Sequence, residues 1–420
     1  MRKELIQAFK IVRQQTENLC QPLTIEDYVI QSIEDVSPPK WHLAHSSWFF
    51  EIFILKHWLA NYQPFDSSFH YLFNSYYQAI GHPYPRAKRG LLSRPTVETI
   101  YAYRNHVDVH MLSLLEEISD LQLNDIQPLV ILGLHHEQQH QELLLMDIKH
   151  NFSHDPNFPI YQSHPLQASP SLTSAKLSFV DMEGGIVEIG YRGENFCFDN
   201  ERPYHKTYLT PYAIASRLVT NGEYLEFIEA GGYKEPRWWL SDGWDCVIKN
   251  HWQAPLYWHN QDNEWHLFSL HGLIPLNPAE PVSHMSYYEA DAYARWRGAR
   301  LASEAEWEHF VRFKNITPHH NNFMEKGLFH PESALQNQAQ PQQFFGDLWE
   351  WTSSPYQPYP GYAPLEGALG EYNGKFMANQ MVLRGGCCAT PESHIRASYR
   401  NFFQPEKRWQ FGGIRLAKDN

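Results

Sequence analysis

The residues of clearest chemical interest form the pattern H-E-x-x-H, with His136, Glu137 and His140 in the segment 133–150. Two histidines four residues apart lie on one face of a helix and can bind a single metal ion. In zinc proteases the glutamate of this pattern is the general base. Glu142 follows His140 by about 200° of helix rotation at 3.6 residues per turn. It therefore points away from the pair, and we expect it to have a supporting or structural role.

A third metal ligand is expected from another helix. The segment 41–61 has apolar residues at helical spacing and contains two candidates, His42 and His45. Three histidine ligands with open coordination positions suit Fe(II), Zn(II) or copper. The spacing alone leaves two classes open, a zinc hydrolase and a metal enzyme of another kind.

Residues 1–152 predict a four-helix bundle, in which metal sites form from inward-facing side chains on facing helices. Helical spacing of apolar residues appears in four segments, 3–19, 41–61, 96–119 and 126–150. Pro95 and Thr96 mark the start of the third helix. The connection 62–95 is long for a compact domain, and its aromatic residues argue against disorder and for a functional loop.

The remainder of the chain differs from the first part in composition and in the spacing of its apolar residues. Residues 153–178 are rich in Pro, Ser and Asn without any period, which predicts a linker. Residues 179–420 contain short aromatic segments separated by Gly, Pro and Asn, which predict an α+β domain with much loop. The stretch "LSFVDMEGGIVEIG" alternates and turns at Gly184 and Gly185. In this half only "SYYEADAYARWRG" and "SEAEWEHFVRF" are clearly helical in pattern.

The composition excludes several classes of protein. The 420 residues carry a net charge of −13 and no basic run, which disfavours a nucleic-acid partner. The five cysteines form no disulfide framework. The N-terminus lacks the apolar core of a signal peptide, and the most apolar stretch is interrupted by Glu51 and Lys56. We therefore expect a cytoplasmic protein with no membrane partner, and the sequence leaves the oligomeric state open.

Several segments resemble the EgtB family, the iron-dependent sulfoxide synthases of ergothioneine biosynthesis. "WHLAH", "FNSYYQAIG", "PRAKRG" and "HEQQHQE" are similar to the DinB-like bundle of that family. "MEGGIVEIG", "RLASEAEWE", "GDLWEWT", "VLRGG" and "GGIRLA" are similar to the formylglycine-generating-enzyme-like domain that follows the bundle. The resemblance implies a multidomain α and α+β protein, in which a DinB-like four-helix bundle precedes a C-type-lectin-like domain.

The resemblance implies that His45, His136 and His140 hold Fe(II). It further implies a reaction between small molecules, in which cysteine sulfur and O2 react at the imidazole carbon of hercynine to give a sulfoxide. Hercynine is the trimethylated betaine of histidine. Relatives that insert selenium or make ovothiol-type products are alternatives. An H-E-x-x-H zinc hydrolase is the alternative from a different class.

Roles for four residues of the bundle loop also follow from the resemblance. A tyrosine near the iron is expected to donate a proton, and Tyr77 is the first candidate, followed by Tyr76. In other branches of the family this tyrosine comes from the C-terminal domain. Arg86 and Arg89 match arginines that bind the thiol substrate, and guanidinium groups suit its carboxylate.

The remaining substrate contacts are assigned in the same way. Gln139 and Asn401 match positions that contact hercynine, and Phe402 is expected to flank its trimethylammonium group. Phe403 stands where the branch that uses γ-glutamylcysteine has an acidic residue. Because phenylalanine cannot replace that acid, the resemblance implies a preference for cysteine as the sulfur donor.

The C-terminal domain also resembles enzymes that oxidise a peptide cysteine with copper held by two spaced cysteines. Here Cys387 and Cys388 are adjacent, which does not reproduce that spacing. We expect both to pack in the core of the domain.

Overall fold

The computed structural model describes residues 2–163, 174–338 and 340–420, which form two compact units. The first unit is Met1–Tyr161 together with Glu194–Phe196 and Leu365–Tyr372. The second unit is Gln162–Gly193, Cys197–Pro364 and Asn373–Asn420. Residues 164–173 of the predicted linker lie outside the described residues.

Four long helices pack against one another in the first unit, as the sequence predicts. The helices are α1 (Arg2–Cys20), α2 (Pro39–Phe50), α3 (Lys56–Trp58), α4 (Phe69–Leu72), α5 (Val97–Glu117) and α6 (Asp120–Ser153). The long ones are α1, α2, α5 and α6. In α1, Leu5, Phe9 and Val12 are buried, and each such side chain contributes roughly 1.5–3 kcal/mol. No helix of the described residues is both long and apolar enough to cross a membrane.

Helix α6 begins earlier than the sequence pattern predicts. Its first residue is Asp120 rather than 126, because the Ser119 hydroxyl accepts a hydrogen bond from the Gln122 amide at 3.3 Å and caps the helix. Pro128 lies inside the helix, where proline usually signals a helix boundary. Because this proline and its polar neighbours interrupt the apolar pattern, apolar spacing alone places the start of the helix too late.

Helix α2 does not continue as a regular α-helix over the whole predicted segment 41–61. It passes into a π-helical turn at Glu51–Leu55, a widened geometry that is frequent near functional sites. The buried Glu51 carboxylate at this turn accepts hydrogen bonds from the hydroxyls of Tyr62 at 2.6 Å and Tyr103 at 2.8 Å. These bonds tie the end of α2 to the following loop and to α5.

Gly133 allows α6 to approach α2 closely. A Cβ atom at this position would lie 2.6 Å from a ring carbon of Phe50 and 3.0 Å from one of Phe49. Because Gly133 precedes His136 by less than one helical turn, this close approach sets the distance between the two helices that carry the histidines.

The long connection 62–95 is folded onto the bundle. It contains α4 and a 3-10 turn at Arg86–Leu91. Phe69, Phe73 and Tyr77 are buried, which agrees with the prediction that the aromatic residues order this loop.

The second unit is an α+β domain, as predicted. Its strands are β1 (Phe179–Met182), β2 (Gly185–Ile189), β3 (His205–Leu209), β4 (Tyr212–Ala215), β5 (Trp258–Gln261), β6 (Glu264–Ser269), β7 (Gly272–Pro275), β8 (Arg300–Leu301), β9 (Trp349–Pro355), β10 (Met381–Arg384), β11 (Asn401–Phe403), β12 (Gly412–Gly413) and β13 (Leu416–Asp419). Its helices are α7 (Asn221–Glu229), α8 (Ser241–Asn250), α9 (Tyr287–Trp296) and α10 (Glu304–Phe313). Two four-stranded sheets, in the orders β1-β4-β13-β8 and β11-β10-β9-β12, are accompanied by the β2-β3 and β5-β6-β7 sheets.

The chain turns at Gly184 and Gly185 as the sequence predicts, and the turn joins strands of two different sheets, because β1 pairs with β4 and β2 pairs with β3. The prediction of only two clear helices in this unit is wrong, since α7 and α8 are additional to them. The start of α7 carries a readable signal, because Thr220 and Glu223 form a capping box.

The motifs "GDLWEWT" and "RGG" stabilise the second unit. The buried Glu350 carboxylate accepts hydrogen bonds from Arg415 at 2.7 and 2.8 Å and from the Trp307 indole at 2.8 Å. Gly385 has φ +100°, and a Cβ there would lie 2.4 Å from a backbone oxygen. Cys387 and Cys388 are buried, as predicted.

Candidate metal centre

Three histidines converge inside the first unit. His45 lies on α2, and His136 and His140 lie one turn apart on α6. One ligand nitrogen from each lies within 4.8 Å of the others, and all three side chains are buried. The ring centroids are 4.7 to 5.0 Å apart. The packing of two helices thus brings together the residues that were identified as candidate ligands.

The orientation of His45 is fixed by a backbone carbonyl. Its Nδ1–H donates to the Phe73 oxygen at 2.6 Å, so its Nε2 carries the lone pair. That Nε2 has no hydrogen-bond partner within the described residues. Trp41 stacks on the ring at 4.5 Å and Trp48 at 5.6 Å, which holds the imidazole plane in place.

His140 contacts the other candidate of α2. Its Nδ1 lies 2.9 Å from Nδ1 of His42, whose Nε2 lies 3.0 Å from the carboxylate of Asp147. His42 is therefore a neighbour of the triad and not a member of it. The hydrogen bond through Nδ1 leaves Nε2 of His140 available to a metal.

His136 is unusual among the three, because neither of its ring nitrogens has a hydrogen-bond partner in the part of the chain that the structure describes. Burial lowers the pKa of His136 to about 4, although the nearby Glu137 carboxylate opposes the shift. Burial and the neighbouring histidines also lower the pKa values of His45 and His140. All three imidazoles are therefore neutral at pH 7, which is the form that binds a metal.

These observations show that the site fits a metal ion. Buried polar atoms are normally hydrogen-bonded, yet nitrogens of His45 and His136 are left without partners at one point of the bundle. Glu142 is buried but does not belong to the converging group. The donor set is therefore three neutral histidines.

Glu137 takes part in a buried ion-pair cluster rather than in the triad. Its carboxylate accepts hydrogen bonds from Arg13 at 2.9 Å, Arg104 at 2.5 Å and the Thr16 hydroxyl at 2.6 Å. Burial alone would raise the pKa of Glu137, but the Arg104 and Arg13 charges outweigh it and lower the pKa to about 2. The carboxylate is thus ionised and fully occupied, and it links α1, α5 and α6.

The two loop tyrosines lie against the aromatic side chains around the triad. Tyr77 is buried and stacks on Trp48 at 5.7 Å, and Trp48 in turn contacts His45. The ring of Tyr76 lies 4.8 Å from that of Tyr77. Burial raises the pKa of both phenols above the usual value, so both carry their protons at pH 7.

A third tyrosine joins this group from late in the chain. Tyr372, within the segment Leu365–Tyr372 of the first unit, contacts the Tyr76 ring at 5.4 Å. Its hydroxyl donates to the Gln139 amide oxygen at 3.0 Å. Sequence reasoning missed this residue, because nothing local to it indicates that its partner is 233 positions earlier.

The same segment supports the backbone of the tyrosine loop. The Glu371 carboxylate accepts hydrogen bonds from the backbone amides of Gln78 and Ala79, both at 2.9 Å. Asn74 closes the loop from the other side, since its side-chain oxygen accepts from the Tyr77 amide at 3.2 Å. The position of Tyr77 therefore depends on two polar side chains.

The two loop arginines have different surroundings. Arg86 is exposed and donates to the backbone carbonyl of Asp35. Arg89 is buried, and its guanidinium lies 3.4 Å from the centroid of the Trp41 ring, which also stacks on His45. Within the described residues its Nε has no hydrogen-bond partner. The structure thus places Arg89 beside the triad and Arg86 at the surface.

Comparison with known proteins identifies the family. Residues 8–154 match the DinB superfamily and residues 167–420 match the sulfatase-modifying factor enzyme 1-like domain. The chain is 34% identical over 317 residues to a hercynine oxygenase of Mycolicibacterium smegmatis, covering 69% of this chain and 71% of that protein. It belongs to the hercynine oxygenase family. Another member, from Mycobacterium tuberculosis, is 32% identical over 311 residues, with 68% and 70% covered.

Membership of the hercynine oxygenase family makes the chain an oxygenase. A further relative, ergothioneine biosynthesis protein 1 of Schizosaccharomyces pombe, is 28% identical over 234 residues, which is 53% of this chain and 28% of that protein. These relatives support a role in the ergothioneine pathway. The family resemblance and the two-domain fold predicted from sequence are both confirmed.

The remaining candidates of the hercynine oxygenase pattern lie on β11 in the second unit. The Asn401 side-chain oxygen accepts a hydrogen bond from the Phe402 amide at 2.9 Å. Tyr356 covers one face of the Phe402 ring at 4.0 Å, and Phe403 packs edge-on against Trp409 at 5.4 Å. All three are partly exposed, and their substrate contacts remain predictions.

Proposed function

We propose that this chain is a non-haem Fe(II)- and O2-dependent sulfoxide synthase that joins cysteine sulfur to the imidazole carbon of hercynine. The observation that carries the proposal is the buried triad of His45, His136 and His140, with unpartnered ring nitrogens within the described residues. When bound, Fe(II) would supply open coordination positions for the thiolate, the hercynine imidazole and O2.

Arg89 is the residue of this chain best suited to bind the carboxylate of the thiol substrate. Its guanidinium is buried and its Nε has no partner among the described residues. Its two Nη atoms donate to the uncharged hydroxyls of Ser37 and Ser75, so a substrate carboxylate would stabilise the buried cation further. Because Trp41 contacts both Arg89 and His45, a carboxylate bound at Arg89 would hold the substrate close to the metal site.

Tyr77 and Tyr76 are proposed to supply a proton that the reduction of O2 would consume. Their phenols are protonated because burial raises their pKa values, and their hydroxyls are hydrogen-bonded to each other. The Tyr372 ring packs against that of Tyr76 at 5.4 Å and helps to hold the pair in place. Gln139 would face hercynine with its amide oriented by the Tyr372 hydroxyl.

The zinc hydrolase alternative fits poorly with the contacts of Glu137. A general base must accept a proton from water near neutral pH, which requires a pKa near the working pH. The pKa of Glu137 is lowered to about 2, and its oxygens accept hydrogen bonds from Arg13, Arg104 and Thr16. This carboxylate therefore stabilises the bundle and is not poised to activate water.

The proposed preference for cysteine over γ-glutamylcysteine as the sulfur donor rests on Phe403. Its ring packs against Trp409 and offers no charge to the additional amino and carboxylate groups of γ-glutamylcysteine. We expect kcat/KM to be higher for cysteine than for γ-glutamylcysteine. Phe403→Asp should narrow or reverse this ratio, and a wild-type preference for γ-glutamylcysteine would contradict the assignment of the donor.

Oxygen uptake after anaerobic Fe(II) loading tests the proposed function. We expect rapid uptake only when hercynine and cysteine are both present. His45→Ala should abolish iron binding and uptake together, because it removes one of three ligands. A zinc hydrolase with its third ligand downstream would retain its metal in His45→Ala, and that outcome would contradict the proposal.

A further inference from the structure

A chain of hydrogen bonds leads from the triad into the bundle. Nδ1 of His140 lies 2.9 Å from Nδ1 of His42, and Nε2 of His42 lies 3.0 Å from Oδ2 of Asp147. The same oxygen accepts the backbone N–H of Ser37 at 2.8 Å. His42 and Asp147 are both buried, with 2% of each side chain exposed. These contacts join α2 and α6 directly behind one proposed ligand.

Two arrangements of the ring hydrogens are compatible with these distances. In one of them Nε2 of His42 donates to the carboxylate of Asp147, and Nδ1 of His42 accepts the hydrogen of Nδ1 in His140. This arrangement leaves the lone pair of His140 on Nε2, the nitrogen that a metal requires. The reverse arrangement would place a hydrogen on that nitrogen and prevent ligation.

The other two ligands lack this support. His45 donates to the backbone oxygen of Phe73, a neutral acceptor. His136 has no hydrogen-bond partner on either ring nitrogen within the described residues. A carboxylate behind a ligating histidine fixes its tautomer and ring orientation and makes it a stronger ligand. Here that influence reaches the metal site through an intervening imidazole.

We infer that His42 and Asp147 are positioning residues that fix the metal-binding tautomer of His140 and thereby strengthen metal binding at the triad. The inference rests on the proposed function, because it requires that the triad holds a metal. We expect His42 and Asp147 to touch neither the metal nor the substrate. They act through His140, so their effect should appear in metal affinity before any turnover takes place.

The test is Co(II) affinity of the full chain, measured by competition with a chromogenic chelator. Removal of a supporting partner of a metal ligand typically costs about 10- to 100-fold in affinity, and we expect that loss for His42→Phe. His42→Gln should retain most of the affinity, because its amide oxygen can accept from His140 while its NH2 group donates to Asp147. Asp147→Asn should lie between them, since it keeps an acceptor but removes the charge.

Asp108→Asn is the matched control. It makes the same chemical change in the same bundle, at a carboxylate that pairs with Arg13 at 2.6 Å and does not contact the triad. Its Co(II) affinity should equal that of the wild type. The melting temperature of each metal-free variant is measured alongside. A purely structural role would lower the melting temperature of both His42 variants but would not make the Co(II) affinity of His42→Gln differ from that of His42→Phe.

The outcomes distinguish this inference from the proposed function. Wild-type protein that binds no Co(II) or Fe(II) would contradict the proposed function itself. If the wild type binds Co(II) and the affinities of His42→Phe and Asp147→Asn are both within threefold of it, the inference about His42 and Asp147 is overturned while the proposed function stands. Equal losses of affinity in His42→Gln and His42→Phe would also overturn it. If His42→Phe fails to fold, the comparison of Asp147→Asn with Asp108→Asn still decides the question.

Discussion

Glu137→Gln is expected to destabilise the bundle without removing the metal site. The substitution neutralises a carboxylate that accepts hydrogen bonds from Arg13 and Arg104 and is completely buried. Two buried guanidinium groups would then lack their shared counter-ion. Loss of one partner of a buried ion pair typically costs about 3–5 kcal/mol. For a unit of this size the melting temperature should fall by roughly 6–20 °C.

The pKa of Glu137 gives an independent estimate of the same effect. A decrease from 4.5 to about 2 corresponds to about 3 kcal/mol of stability. Because the folded pKa is the lower one, this contribution is present above about pH 4.5 and disappears as the pH falls towards 2. The difference in unfolding free energy between wild type and Glu137→Gln should therefore be full at pH 7 and should become smaller as the pH falls below about 4.5.

The assay is urea unfolding of both proteins between pH 7 and pH 3, with Asp108→Asn as the control. Asp108 pairs with the same Arg13 but has 21% of its side chain exposed, so its loss should cost no more than about 1 kcal/mol. Folded Glu137→Gln should still bind Co(II). Unchanged stability of Glu137→Gln together with complete loss of activity would refute the structural role and favour a catalytic glutamate.

Three further predictions follow from the packing of the site. Gly133→Ala should lower the free energy of unfolding by about 1–3 kcal/mol and weaken Co(II) binding, because its Cβ would lie 2.6 Å from the Phe50 ring. A Co(II) affinity equal to that of the wild type would show that the distance between the two helices does not determine the geometry of the metal site. Tyr77→Phe should shift the products from sulfoxide towards cysteine sulfinic acid, as measured by mass spectrometry, and an unchanged product ratio would exclude Tyr77 as the proton donor. Glu371→Ala removes the acceptor of two loop amides, so it should lower kcat while metal affinity is retained, and the opposite pattern would contradict a role in placing the tyrosines.

The parts of the structure that depend on local sequence could be predicted. Thr96 caps α5 through the Thr99 amide at 3.1 Å, and Ser303 caps α10 in a box with Glu306. Both signals span only a few residues. The bundle follows from the same kind of local pattern, because buried residues recur at helical spacing along α1.

The parts that depend on distant residues could not be predicted. His42 and His45 differ by less than one helical turn, so their spacing does not distinguish them; the family resemblance selects His45, and the packing of α2 on α6 brings it to the triad. The H-E-x-x-H pattern suggests a base, but the partner Arg13 lies 124 positions from Glu137 and changes its role. Tyr372 reaches Gln139 across 233 positions. Such contacts are determined by tertiary packing, and the residues next to each partner in the sequence do not indicate them.

The mass of the product gives the most direct test of the proposed sulfoxide synthase activity. Protein loaded with Fe(II) under anaerobic conditions is mixed with hercynine and cysteine, exposed to O2, and analysed by mass spectrometry. We expect hercynylcysteine sulfoxide, formed only when the triad of His45, His136 and His140 is intact. Oxygen uptake that yields cysteine sulfinic acid with hercynine unchanged would contradict it.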